Sequence, residues 1–192
     1  KGNYDKPYST MVEYLDAMDA GIFFSPAPSA PPQRVLAALG PKMLKLAAER
    51  GAGAHPYFIP VEHTAMARGV MGADALLAPE QAVVFETDPA KARAIARQHM
   101  NTYTRLPNYV NNLVRLGFNA DEVANQEDRV VDAIVAWGTT EQITARVKAH
   151  LDSGAQAHIA RMLHASDRLH DRSPFLVVIV HHHAIECPNR DH

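Results

Sequence analysis

The chain has 192 residues, 47% of them hydrophobic, with 19 basic and 21 acidic side chains and a formal net charge of −2. That length and apolar content suit a globular domain with a sizeable core and exclude a disordered chain. Its charges are intermixed, which excludes a broad field for nucleic acid or an anionic membrane and makes a small molecule the expected partner. The single Cys187 cannot form an internal disulfide. Neither a secretory signal nor an apolar run of membrane-spanning length is visible, so the cytoplasm is the expected compartment. The chain opens at Lys1 without an initiating Met, as a fragment or processed product would.

Apolar residues Met11, Val12, Leu15 and Met18 recur at helical spacing over Tyr8 to Met18, and the proline-rich stretch 25–32 then reads as an extended connection. Residues 34–39 read as a strand that passes through Gly40-Pro41 into a helix ending near Gly51. A second strand is expected over 54–59 with His55 on it, followed by a helix from Pro60 to about Met71 that Gly72 stops. The β-branched and aromatic run 81–87 is a third strand. Asp88-Pro89 opens a long helix to about Tyr103, and Pro107 starts another within 106–116. A polar connection leads to 129–137, helical by spacing. Thr139 and Gln142 stand at capping-box spacing for a helix over 140–152, and a closing strand is expected from 155 to 160. Strands alternating with helices indicate an α/β architecture with parallel pairing.

Gly40 removes a side chain where a ligand can approach the backbone, and Pro41 fits the first helical position, where its missing N–H costs nothing. The free N–H groups of that first turn point back over the strand end and attract anions, and Lys42 adds a formal charge. A phosphate-bearing cofactor fits this pattern, which also serves as an ordinary helix start. His55, at a strand end, is a candidate pocket residue or acid–base group, or a histidine simply hydrogen-bonded in place. Glu62 and His63 sit in a first helical turn, where Glu62 suits the dipole without any catalytic role. Asn108, Tyr109, Asn111 and Asn112 form a polar helical patch facing either substrate or solvent. The histidines 181–183, with Glu186, Cys187, His158, His164 and His170, lack fixed ligand spacing, so no metal site is expected. No dinucleotide or Walker fingerprint is present, and Cys187 has no local nucleophile signature.

Taken together, Tyr4-Asp-Lys-Pro7, the run 11–17, the run Arg34 to Arg50 with its Leu-Gly-Pro-Lys-Met, Ala54-His-Pro-Tyr-Phe58, the run 77–84, Leu106-Pro-Asn-Tyr-Val-Asn-Asn-Leu113 and Trp137-Gly138 resemble the luciferase-like monooxygenases. The likeness is to the branch that uses the deazaflavin coenzyme F-420, and it spans about residues 4–155. It implies the later part of a (β/α)8 TIM-type barrel lacking the early strands, within a single partial-barrel domain whose tail, 156–192, diverges. A full barrel takes about 250 residues, with its active site at the C-terminal strand ends. The resemblance further implies an oxidoreductase moving hydride between coenzyme F-420, or FMN, and an organic substrate, with Gly40, Pro41, Lys42, Met43 and His55 toward the cofactor. It carries no catalytic residue onto this chain. The rival expectation is a non-catalytic half-barrel that self-associates, since unpaired strand edges favour a homo-oligomer. Residues 175–180, an uncharged run of strand formers, are expected to pair with another strand.

Overall fold

The computed structural model describes residues 5–22, 24, 26, 33–163 and 177–181. Helix α1 (Pro7–Asp19) leads to strand β1 (Val35–Leu36), helix α2 (Pro41–Arg50), strand β2 (Gly53–Ala54), helix α3 (Val61–Met71) and strands β3 (Leu76–Leu77) and β4 (Glu80–Val84). Helices α4 (Pro89–Tyr103), α5 (Pro107–Arg115), α6 (Ala120–Ala124) and α7 (Asp128–Ile134) follow. The described residues end with β5 (Val135–Trp137), α8 (Thr140–Asp152), β6 (Ala157–Met162) and β7 (Val177–His181).

The strands form a sheet of order β1-β2-β3, all parallel, and a second of order β5-β4-β6-β7, parallel except for the antiparallel β6–β7 pair. The two sheets are joined through one interrupted strand. Beyond β3, the Glu80 N–H donates to the Pro56 carbonyl on the β2 side, and on the opposite side the Gln156 N–H donates to the Leu77 carbonyl. Residues 76–84 therefore run as a single line broken at Ala78-Pro79, where proline lacks a ladder donor. The parallel wall reads β1, β2, β3/β4, β6, the sequential order of successive β-α units. β5 adds beside β4 where β2 has left the wall, just past Phe58, whose φ of 58° turns the chain aside.

Local chemistry sets the helix ends. Asp88 accepts from the N–H groups of Ala90 and Lys91 at the start of α4, and α8 opens with the expected Thr139/Gln142 capping box. Pro7, Pro41, Pro89 and Pro107 occupy first-turn positions. One apolar cluster packs Leu15, Leu36, Leu44, Ala47 and Leu77 beneath α1, α2 and α3; another packs Val84, Met100, Leu113, Val130 and Ile134 between β4 and α4 to α7.

Several elements differ from the sequence reading. The strands expected over 34–39 and 54–59 are regular for only two residues each, and β3 was not anticipated. Residues 129–137 are not one helix: α7 stops at Ile134, and the apolar Val135-Ala136-Trp137 is drawn into pairing with β4, so tertiary hydrogen bonding overrides helical spacing. The polar connection after α5 holds α6, opened by a capping box of Asn119 and Glu122. The expected strand within 175–180 is β7, and its partner is β6. Residues 164–176 and 182–192, with His164, His170, His182, His183, Glu186 and Cys187, lie outside the described residues.

Side-chain staples fix α3 and α8 against the wall. Arg68 of α3 donates to the carbonyls of Gly72 and Ala75 and, from Nε and Nη2, to that of Gly154 at 2.9 and 2.8 Å. A cation thus bridges the C-terminal ends of both helices, the favourable end for positive charge. In the interior, the Gln81 amide nitrogen donates to the carbonyls of Ile134 and Ala82 at 2.7 and 2.9 Å, which commits its Oε1 as an acceptor. The 3.1 Å contact from that oxygen to His150 Nε2 then requires a proton on Nε2. In the neutral ring Nδ1 is the acceptor, and the Thr64 hydroxyl donates to it at 2.7 Å. Gln81, His150 and Thr64 are all buried, so β4, α3 and α8 are tied by a chain with assigned donors and acceptors.

Candidate functional site

A cavity of about 700 Å³ opens at the C-terminal ends of β1 and β2. Its floor is the turn from Ala37 to Leu39 and the start of α2; the opposite wall is α5, with Pro7 and Tyr8 of α1 at the margin. All five residues expected from the sequence to face a cofactor, Gly40, Pro41, Lys42, Met43 and His55, line this one space. Strand ends are where a parallel α/β layer leaves its loops free to shape a pocket, which is why residues from separate units converge here.

Gly40 is the N-cap of α2, with φ −83° and ψ 155°, a conformation open to any residue, and a Cβ added to it would meet nothing within 4 Å. Neither backbone nor packing within the described residues requires glycine. The bare Cα faces open space beside the first N–H groups of α2. Among the described residues no acidic side chain lines the cavity, although the chain carries 21 of them, whereas Lys42 and Arg115 do line it. Among the described residues neither cation has a carboxylate within ion-pairing distance, while Arg34, Arg50, Arg93, Arg97 and Arg129 all do. Field and donors together favour an anionic ligand group.

His55 is held by its Nδ1, which donates to the Ala78 carbonyl at 2.6 Å, so in the neutral ring Nε2 remains as the acceptor. Beneath the α2 turn, His63 is fully buried and donates from Nε2 to the Leu39 carbonyl at 2.8 Å. Burial pushes the His63 pKa down to about 4, and the positive charge of nearby Arg115 acts in the same direction. The neutral ring is therefore the form that supports the Leu39–Gly40 turn at neutral pH.

An aromatic group closes the side toward α4. The Tyr57 hydroxyl donates to the Tyr103 hydroxyl at 3.0 Å and lies 3.5 Å from His99 Nε2, and the Tyr57, Phe58, Tyr103 and Tyr109 rings pack at centroid distances of 5.0 to 6.3 Å. Phe58, 2% exposed, holds its left-handed backbone through that packing.

Of the polar helical patch, Asn108, Tyr109 and Asn111 line the cavity, but Asn112 turns into the core, 1% exposed, with its Oδ1 accepting from Arg115 at 3.2 Å. Glu62 stays in the first turn of α3 outside the lining. The sequence reading missed Tyr8, Tyr57 and Arg115. Arg115 was reachable, because it follows Asn111 by four residues and Asn108 by seven and so shares their helical face. No group of three or more metal-ligating side chains occurs among the described residues. Among those residues no helix is long and apolar enough to cross a membrane.

A similar fold is found in a coenzyme F-420-dependent secondary alcohol dehydrogenase solved with an F-420–acetone adduct, with a TM-score of 0.56 and 13% sequence identity over 84% of this chain. The present chain spans 57% of the length of that structure. The neighbour is of TIM-barrel type, and the likeness shows a shared α/β fold with parallel strands. No protein-family profile matches the chain, and no curated protein does.

Proposed function

We propose that this chain is an oxidoreductase of the luciferase-like, coenzyme F-420-dependent type, with FMN as the alternative cofactor and the cavity at the α2 N-terminus as the cofactor site. The observation that carries the reading is the convergence of Gly40, Pro41, Lys42, Met43 and His55 on one cavity where the missing Gly40 side chain leaves the backbone open. The fold shared with a dehydrogenase that uses this coenzyme supports it. A bound deazaflavin would exchange hydride with an organic substrate. The residues supply position and electrostatics. The N–H groups of Lys42 and Met43, with the Lys42 ammonium, would hold the phosphate; Met43 and the apolar turn 37–39 would exclude water; and His55 Nε2 would offer an acceptor. The domain is read as part of a barrel, in the cytoplasm.

The test is a titration of the folded chain with coenzyme F-420 and with FMN, followed by cofactor fluorescence and by Trp137 emission. Saturable micromolar binding of either supports a cofactor site. Binding of neither by a folded sample overturns it in favour of a second reading, a non-catalytic barrel portion that self-associates. That reading is favoured by the β1 edge, which has no strand partner among the described residues on its outer side, and by the exposed Ile22, Phe24 and Val35. A defined oligomer that retains cofactor separates the first reading from the second.

A further inference from the structure

We propose that His63 is an acid-released clasp on the cavity floor: its neutral ring holds the Leu39 carbonyl from beneath, and a ring that has taken up a proton frees the turn 37–40 while the surrounding helices stay in place. The inference goes beyond the cofactor reading, because it concerns the shape of the cavity whatever fills it.

The backbone of this turn is tied at one point. On one side of it the His55 N–H donates to the Leu36 carbonyl at 2.9 Å, and on the other the Leu44 N–H donates to the Gly40 carbonyl at 3.0 Å. Between those bonds, among the described residues, no main-chain hydrogen bond involves Ala37, Ala38 or Leu39, and only Ala38 of the three is buried. The 2.8 Å bond from His63 Nε2 to the Leu39 carbonyl is therefore what ties the turn to α3. The turn faces the cavity, and a Cβ on Gly40 would meet nothing within 4 Å, so it has space to move into. Helix α3 is anchored elsewhere: the Thr64 hydroxyl bonds His150 of α8 at 2.7 Å, and Arg68 Nε bonds the Gly154 carbonyl at 2.9 Å. Release is then local, the kind of opening that a segment with few bonds undergoes well below the cost of global unfolding.

The clasp does not hold a charged ring. His63 is fully buried, and its Nδ1 has no partner among the described residues. A proton there makes a buried donor without an acceptor, on a cation taken out of water. No nearby carboxylate compensates. Helices α2 and α8 pack against α3, yet Lys42 of α2, Arg146 and His150 of α8 and Glu62 of α3 itself do not move the ring's ionisation; Arg115 of α5 does, and it is positive. Strand β3, also packed on α3, carries no titratable group. The charged ring gains partners by reaching water, which means leaving its place under Leu39. Burial holds its pKa at about 4 against an ordinary 6.5, so the closed form keeps its full advantage above pH 6.5 and loses it as the pH falls toward 4. Across that window protonation multiplies the released population by at most about 300-fold, the ratio fixed by the two values.

The test is an NMR titration of the full chain from above pH 6.5 down toward pH 4, following the His63 ring nitrogens and the Leu39 and Gly40 amides, with far-ultraviolet dichroism reporting the helices. At neutral pH the ring should show the neutral form protonated on Nε2. On acidification the Leu39 and Gly40 signals should move with His63 along one curve, while the Thr64 and Gly154 signals and the dichroism hold steady. His63→Gln, which keeps an N–H donor and does not titrate, should hold the turn signals at their neutral positions throughout. His63→Leu, which has no donor, should show the released positions at every pH. The proposal is overturned if His63 takes up its proton without moving Leu39 and Gly40, if those amides respond equally in His63→Gln, or if they stay put until the helices unfold. Should a variant fail to fold, the titration of the unaltered chain decides by itself. Coenzyme binding is scored separately: if F-420 or FMN binds, its affinity should fall along the same curve in the unaltered chain and not in His63→Gln. A chain that binds neither refutes the cofactor assignment and leaves the NMR test of the clasp unaffected.

Discussion

Replacing His150 by alanine tests whether the buried chain Gln81–His150–Thr64 holds α3 and α8 to the wall. The ring is 0% exposed, so its loss leaves a void worth about 2 kcal/mol, below the range for larger aromatic side chains. The substitution also strands Gln81 Oε1 and the Thr64 hydroxyl, which contacted the ring at 3.1 and 2.7 Å, at about 1 kcal/mol each. The expected destabilisation is about 3–5 kcal/mol, a large fraction of the stability of an ordinary domain. Urea unfolding followed by far-ultraviolet dichroism measures it, provided the slope is unchanged. His150→Gln keeps an amide donor on a flexible stem and should recover about half the loss. The sharper test is coupling. Thr64→Val leaves His150 Nδ1 without its donor and should cost about 1–2 kcal/mol alone but close to nothing in the His150→Ala background. A His150→Ala loss below about 1 kcal/mol, or strict additivity of the two substitutions, would refute the network.

Gly53→Ala should destabilise by more than about 2 kcal/mol in the same urea assay, because its Cβ would lie 1.9 Å from the Leu76 carbonyl oxygen and force β2 from β3. His63 gives the pH dependence: its folded pKa of about 4 lies below the ordinary 6.5, so the unfolded chain binds the extra proton. Its contribution is complete above pH 6.5 and is lost as the pH falls toward 4, on the order of 3 kcal/mol over that window. His63→Gln should flatten that part of the stability profile, and an unchanged slope would show that His63 titrates normally. Gly40→Leu should leave the thermal midpoint within about 2 °C, since its Cβ meets nothing within 4 Å, yet abolish cofactor retention. Normal coenzyme binding by that variant would remove Gly40 from the site.

The sequence was most legible where one residue type carries the geometry alone. Proline and Asp88 mark the start of α4, and the Thr139/Gln142 spacing marks that of α8, because caps are local. Gly40-Pro41 likewise announced a helix start facing a strand end, and His55 fell into the same cavity because consecutive parallel units end on the same side. What stayed hidden depends on partners remote in sequence. Val135-Ala136-Trp137 becomes strand through β4, and the Ala78-Pro79 interruption has meaning only between Pro56 and Gln156. Nothing near Gln81 or His150 announces their contact, and Arg115 lines the cavity because the fold brings α5 to its wall. Composition gave no sign of the cavity's charge, since a net charge of −2 conceals a wall that no acidic side chain lines among the described residues.

The parallel pairing of β4 with β6 has a kinetic consequence. Glu80 faces Ile159, with α4 to α8 held in the intervening loop, whereas β1–β2 and β2–β3 each join across a single helix. Closing the long loop costs chain entropy before any ladder bond repays it, so the short-range units should acquire exchange protection first and β6 last. Pulse-labelled hydrogen exchange during refolding reads that order, and simultaneous protection of β2 and β6 amides would contradict it. Because β7 pairs with β6, either these two meet first as a local antiparallel pair and dock together, or β7 waits for β6. In both cases the cavity, which draws on the segments that follow β1 and β2 and on α5 and not on β6 or β7, can be assembled before the wall is finished.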